Sequence, residues 1–356
     1  MTDAEALSID DGARWREILP ARESVFGSVE FAAIQREHAG ADPRLITVDS
    51  RNCRIAHPLL LRSSATLPFG ERMDGTLFDS TTPEYSGPFA AGPLNAGTRA
   101  AFSKALSSWC ELNSVVTEFG HLHPWKARTE LLDPAGLELD REIVYVDLTL
   151  DEDRLWRESF THACRKNINR ARREGVRVVE ARSAAEVDEL HRIYEITMDR
   201  QGALERYYFS SGYFRSFLEH LHDNSRILLA EHDGKVIAGT LYLYDDADVY
   251  SYLGGADHAF QHLRPTNAIV YEMIRWARRQ GKQRLVLGGG YGPGDGILRF
   301  KASFSPLRAS FYVYKRVHLP DAYGALREAW RDHYGTDGET TRFFPPYRAV
   351  PAQSEG

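Results

Sequence analysis

Leu285 to Pro306, reading LVLGGGYGPGDGILRFKASFSP, is the stretch that most limits what the chain can become. Val286 and Leu287 are strand-like and interior. Gly288, Gly289 and Gly290 follow at once, so the backbone leaves a sheet with no side chains to hold a ligand away. Asp295 sits in a Pro/Gly turn, and Lys301 lies between Phe300 and Phe304, whose rings can anchor the segment while the ammonium points into a cleft. Loops that leave strand ends are where sites are built. Gly289, Gly290 and Phe304 are therefore expected to border substrate, and Lys301 and Asp295 to act on it. The residues also permit a plain surface loop closed by an Asp295–Lys301 ion pair.

Around this stretch the chain reads as alternating helices and strands. With 356 residues it is too long for one typical domain, and 43% hydrophobic with 26% charged residues is ordinary for a protein with a sizeable core. A polar leader is expected over 1–21, a first domain over 22–150 and a second, with the C-terminal tail, over 151–356. The first half shows a helix from Val29, a hairpin of Leu45–Val48 with Arg54–Arg62, a long loop (FDSTTPEYSGPFAAGP), a helix over Thr98–Cys110 and strands over Ser114–Phe119 and Ile143–Leu148. In the loop Asp79, Tyr85 and Gly87 offer an acceptor, an aromatic donor and a turn, or simply a coil over the sheet.

The second half opens with one helix over Asp151–Glu174, its apolar positions Trp156, Phe160, Cys164, Ile168 and Ala171 at helical spacing. Then come VRVVEA, a helix opened by the Ser183/Glu186 capping box, a helix over Tyr213–His222, a hairpin turning at Asp233–Gly234, the strand DVYSYLGGA, a helix over Ala268–Gln280 and strands over Arg284–Leu287 and Ser310–Val317.

The net charge of −6 gives no global basic field, so a nucleic-acid partner has to be met by a local patch. Cys53, Cys110 and Cys164 are an odd number without metal-ligand spacing, and His121 with His123 is an isolated pair; no metal is expected. The N-terminus lacks an apolar core and no run reaches the roughly 20 apolar residues of a spanning helix, so a cytoplasmic protein without membrane insertion is expected.

The element order of the second half resembles the GNAT acyltransferase fold, and the first half repeats a reduced version. Two such units in tandem resemble the Fem aminoacyltransferase family, most specifically in RKNINRARREGVRV, YEITMDRQGALERYYFSSGYF and LGGGYGPGDGILRFKASFSP. The resemblance runs from about Val25 to Val317. It implies an α/β (α+β) protein of two GNAT-like domains, mixed sheets flanked by helices. The long paired-helix arm of some Fem enzymes is not visible, which places the chain nearer the compact members and the tandem-GNAT relatives of natural-product pathways. The family's donor is aminoacyl-tRNA, and its best-known members extend the peptide bridge of cell-wall precursors.

An ordinary GNAT enzyme cradles the coenzyme A diphosphate on backbone amides of a Gln/Arg-x-x-Gly-x-Gly/Ala loop. Here the loop reads Gln261-His262-Leu263-Arg264-Pro265-Thr266-Asn267, with both glycines replaced and one N–H missing at Pro265. That disfavours coenzyme A. The chemistry expected is aminolysis of an aminoacyl ester by the amine of a small molecule, a cell-wall precursor or a secondary metabolite. Lys301 is expected to stabilise the oxyanion or a terminal phosphate, as the resemblance also implies, and Asp295 or Asp79 to orient the amine. Tyr85, Tyr207 and Tyr252 are expected to hold adenosine or acceptor, and Arg165 and Arg173 to meet tRNA phosphates, with Arg275, Arg278, Arg279 and Lys282 as a second strip. Two alternatives stand beside this: an acyl-coenzyme A-dependent N-acyltransferase, and a binding module without catalysis.

Overall fold

The computed structural model describes residues 3–50, 52–72, 76–290, 292, 295–335 and 343–351. Tyr291, Pro293 and Gly294 of the glycine-rich stretch, the first two residues of the leader and the last five of the tail lie outside the described residues. The chain forms two compact units: one of 1–20, 26–140 and 311–356, the other of 21–25 and 141–310.

The elements of the first half, in order, are β1 (Glu5–Leu7), α1 (Gly12–Ile18), α2 (Val29–Ala39), β2 (Asp42–Ser50), β3 (Cys53–Ser63), β4 (Phe78–Thr81), β5 (Phe89–Ala91), α3 (Ala96–Leu112), β6 (Val115–His121) and β7 (Leu137–Asp147). The expected leader supplies β1, paired antiparallel to β2, and α1, whose Trp15 is buried and donates to the Gly27 carbonyl at 2.9 Å. The long loop is partly sheet: β4 pairs with β3 and, in parallel, with β6, while β5 pairs with β3.

The second half begins with a single helical turn, α4 (Glu152–Arg154), that widens into a π-turn over Leu155–Ser159 before α5 (His162–Arg173). The one long helix expected here is broken. Phe160 takes an extended backbone to put its ring on Phe304, and the Thr161 hydroxyl then caps α5 by accepting from the Cys164 amide at 3.2 Å. Next come β8 (Arg177–Glu180), α6 (Ala184–Gln201) behind the expected Ser183/Glu186 capping box, α7 (Ser211–His220), β9 (Ser225–His232), β10 (Lys235–Tyr244), β11 (Asp248–Ala256), α8 (Pro265–Arg279), β12 (Arg284–Gly288), α9 (Gly296–Ala302), β13 (Arg308–Val317) and α10 (Pro320–Tyr334). The β9–β10 turn carries Asp233 and Gly234 at φ 49° and 76°, both left-handed as a two-residue hairpin requires.

Strand pairing crosses the two halves of the sequence. In unit 1 the order is β1, β2, β3, β4, β6, β13, with β13 antiparallel to β6 from Val313 opposite His121 to Val317 opposite Thr117. In unit 2 it is β7, β12, β11, β10, β9, β8, with Val146 of β7 opposite Leu285. Strand 143–148 thus serves the second unit and strand 310–317 the first. α10 also belongs to unit 1, where Leu326 and Trp330 pack on Leu67, Phe69, Val116 and Tyr347. The core of unit 2 gathers Val144, Val146, Phe160, Cys164, Ile168, Met273, Leu285, Leu287 and Phe304, with Val286 also buried. All three cysteines are free and buried. Among the described residues no helix is long and apolar enough to cross a membrane, and no cluster of His, Cys, Asp and Glu could hold a metal ion.

Candidate functional site

Unit 2 opens between two of its strands. β11 runs parallel to β12 only from Asp248 to Tyr250, opposite Arg284 to Val286. Beyond that the strands part, and Ser251–Ala256 is half-buried. On its other side β11 stays paired to β10, with one irregularity: Leu241 faces Leu253 while Tyr242 faces Ser251, so Tyr252 is the extra residue of a β-bulge. Bulges re-aim a side chain, and this one sets the Tyr252 hydroxyl 2.9 Å from that of Tyr213. Gly255 lets helix α6 and the strand close up behind it: a Cβ there would lie 2.3 Å from Thr197 Oγ1 and 2.7 Å from the Ile193 carbonyl. Thr197 uses that contact, accepting from the Ala256 amide at 3.1 Å.

At the end of β12 the glycines let two side chains close in on the backbone. A Cβ on Gly289 would meet Arg141 Cδ at 2.7 Å, and one on Gly290 would meet Asp295 Oδ2 at 2.4 Å. Their carbonyls are taken by cations: Lys301 Nζ donates to Gly289 at 2.6 Å and Arg141 Nη1 to Gly290 at 3.1 Å. Asp295 is the N-cap of α9, accepting from the Leu298 amide at 2.5 Å and from the Gly292 amide at 3.0 Å. Lys301 sits in the last turn of this helix, a turn the glycine-rich sequence conceals. Burial pulls the Lys301 ammonium down to about 8, against the upward pull of Asp295 and with a further push down from Arg141.

Phe304 is fully buried, its ring against Phe160 and Phe300. Tyr207 is exposed, with Arg206 over its ring and its carbonyl taken by the Tyr194 hydroxyl. Arg165 donates from Nη1 to the carbonyls of Trp156 and Phe160, bracing the break before α5, while Arg173 is exposed at that helix's end. Of the second cationic strip, Arg275 and Arg279 pair with Glu272, Arg278 donates to the Leu150 carbonyl and Lys282 to the Asp245 carbonyl.

In unit 1, Asp79 is buried and ion-paired through one oxygen to Arg62 and through the other to Arg348. Tyr85 holds a left-handed backbone at φ 45°, its ring among Phe26, His123 and Phe311. His123 Nδ1 accepts from the amides of Trp125 and Lys126, which fixes it as a turn residue. Sequence reasoning missed Arg141 and Tyr213. Arg141 is distant in the chain from the loop it braces, and Tyr213 has the spacing of one more apolar position of a helix.

Several main-chain amides before and at the start of α8 are already committed. The Arg264 N–H goes to the Gln261 carbonyl, those of Asn267 and Ala268 both go to the Arg264 carbonyl, and Pro265 has none.

A family model described as an acetyltransferase (GNAT) domain matches residues 159–301. Among curated proteins, the UDP-N-acetylmuramoylpentapeptide-lysine N(6)-alanyltransferase of Weissella viridescens is 26% identical over 218 residues, covering 60% of this chain and 59% of that protein. Among solved structures, FemX superposes with a TM-score of 0.68 at 14% identity, covering 91% of this chain and 99% of that one. The C-terminal domain (DUF2156) of a putative lysylphosphatidylglycerol synthetase from Agrobacterium fabrum does so with a TM-score of 0.55 at 16% identity, over 90% and 96% of the two chains.

Proposed function

We propose that this chain, a GNAT acyltransferase with the FemX-like tandem fold, moves an aminoacyl group from the ester of an RNA donor to the amine of a small molecule. The support for an RNA ester over a coenzyme A thioester lies at the start of α8. A diphosphate cradle needs several converging amides, and here those of Arg264, Asn267 and Ala268 are spent on backbone carbonyls while Pro265 has none. The alanyltransferase of W. viridescens acts on a lysine amine of a UDP-linked muropeptide, by its name, which supports an amine as acceptor.

In this reading the neutral amine attacks the ester carbonyl carbon, forming the C–N bond. Negative charge collects on the carbonyl oxygen, then the C–O bond breaks and the ribose hydroxyl leaves with the proton the amine gives up. Lys301, fixed at Gly289 beside the opening of β11 and β12, supplies the cation for the oxyanion, a role worth about 3 kcal/mol in comparable sites. Tyr252, its hydroxyl held by that of the buried Tyr213, lies on the part of β11 that β12 leaves uncovered and orients the amine or the terminal sugar. Asp295 positions Lys301 through the helix it caps. Asp79, committed to two arginines, serves unit 1 as an ionic lock and not as the base.

The test is transfer of radiolabelled amino acids from charged bulk tRNA to a lysine-bearing UDP-muropeptide. Product is expected with the native chain, lost on ribonuclease treatment and reduced about 100-fold or more in Lys301→Ala. Turnover of acetyl-coenzyme A with the same acceptor, indifferent to ribonuclease, would instead establish the coenzyme A reading, which the description of the matched family model favours.

A further inference from the structure

The face of α5 carries a feature that the acyl-transfer chemistry does not use. Trp156, His162, Arg165, Lys166, Asn169 and Arg173 line a recess of about 380 Å³. His162, Lys166, Asn169 and Arg173 are spaced i, i+4, i+7 and i+11, which puts them in one stripe along the whole helix. The cations around it are spoken for: Arg154 pairs with Glu158, Arg157 with Asp153, Arg170 with Glu174, and Arg172 donates to Asn169. Within the stripe, Lys166 and Arg173 are exposed and make no ion pair among the described residues; beside it, Arg165 is held in place by two backbone carbonyls. In a chain of net charge −6 this is a local concentration of unneutralised positive charge set in a concave surface.

Two dimensions decide what fits. From His162 to Arg173 the helix rises about 16 Å, and successive stripe residues stand about 5–6 Å apart along it. A nucleoside diphosphate, with two adjacent phosphates, would engage one end and leave the other bare, whereas a strand with evenly spaced phosphates would run the length. The stripe also starts beside the reactive segment: the Thr161 amide donates to the Ser303 carbonyl at 2.9 Å, two residues beyond Lys301.

We propose that the α5 stripe is a track for the phosphodiester backbone of a single-stranded RNA end, with Lys166 and Arg173 as its phosphate ligands. The inference rests on the RNA-donor reading and locates where that donor is gripped. His162 and Asn169 add hydrogen bonds along the track, and the ring of Trp156 walls its upper end. The contacts are to backbone alone, so the track contributes affinity and direction without reading sequence.

The experiment is fluorescence anisotropy with a short fluorescein-labelled single-stranded RNA carrying a tRNA 3′ terminus, titrated from about 50 to 200 mM salt. The double variant Lys166→Gln/Arg173→Gln is expected to bind at least about tenfold more weakly at the lower salt. Its log–log salt slope should be shallower by about 1.4, since each phosphate contact on a single strand contributes about 0.7. Arg177→Gln/Arg182→Gln, which removes the same charge from positions already paired with Glu231 and Glu180, should change neither by more than about twofold. Thermal denaturation of both double variants establishes that they are folded. If the native chain binds RNA and the stripe variant matches it in affinity and slope, or if both double variants weaken equally, the track is wrong and the RNA-donor reading stands. If the native chain binds no RNA while acetyl-coenzyme A raises its melting temperature, both are overturned.

Discussion

Lys301 offers a direct measurement. A lysine at its ordinary value of 10.5 is neutral in about one molecule in a thousand at pH 7.5, whereas one pulled down to about 8 is neutral in about a quarter. Reductive methylation with ¹³C-formaldehyde, followed by an NMR titration, reads this directly, with Lys301→Arg identifying the resonance. Two further variants test the cause. Asp295→Asn keeps the helix cap but removes the charge that raises Lys301, so the midpoint should fall further; Arg141→Gln removes a cation that lowers it, so the midpoint should rise. Stability carries the same signature with a definite sign. The folded value lies below the unfolded one, so between about pH 8 and 10.5 the unfolded chain holds more protons and folding stability rises with pH, by up to about 3 kcal/mol in all. If Lys301 acts as the cation, turnover corrected for the acceptor amine's own ionisation should fall through pH 8. A midpoint at 10 or above, or an upward shift in Asp295→Asn, would refute the burial account of this lysine.

Three other perturbations are equally definite. Glu118 is fully buried and accepts from His57 Nε2 at 2.8 Å and His318 Nε2 at 3.1 Å; burial alone would raise its carboxyl, but the two histidines hold it well below the usual range. Glu118→Gln should cost unit 1 about 3–5 kcal/mol in denaturant titration, and the native stabilisation should persist above about pH 4.3 and be lost as pH falls below it. Gly255→Ala should cost about 1–3 kcal/mol and expose the Ala256 amide to hydrogen exchange, since its methyl has to displace Thr197 or the Ile193 carbonyl. Asp79→Asn should destabilise unit 1 by several kcal/mol, measured by the same titration, while leaving the protonation midpoint of Lys301 unmoved; a normal melting curve would mean the double ion pair with Arg62 and Arg348 is not made.

What could be read in the residues was local. The capping box at Ser183, the turn at Asp233–Gly234 and the strand Arg284–Leu287 are written in three or four neighbouring positions, and each is where expected. α9 was hidden because glycine and proline dominate its approach and only seven residues form it. The break at Phe160–Thr161 was hidden because Trp156, Phe160, Cys164 and Ile168 keep helical spacing across it; the cause is a ring contact to Phe304, far along the chain. The site divides the same way. Lys301 and its glycines stand out in sequence, but that Asp79 is neutralised by Arg348, or that Gly290 is braced by Arg141, depends on partners more than a hundred residues away.

The crossed strands also dictate an order of birth. Unit 1 lacks β13 and α10 until residues 311–351 have been made, whereas every strand of unit 2 has emerged by residue 288. On the ribosome the later half of the chain can therefore mature first, and the earlier half has to wait, one sheet edge unpaired, until β13 and α10 have been translated. Cutting the gene in the middle would yield two pieces each missing a strand, so any attempt to obtain the strands of unit 2 together has to begin at or before Arg141.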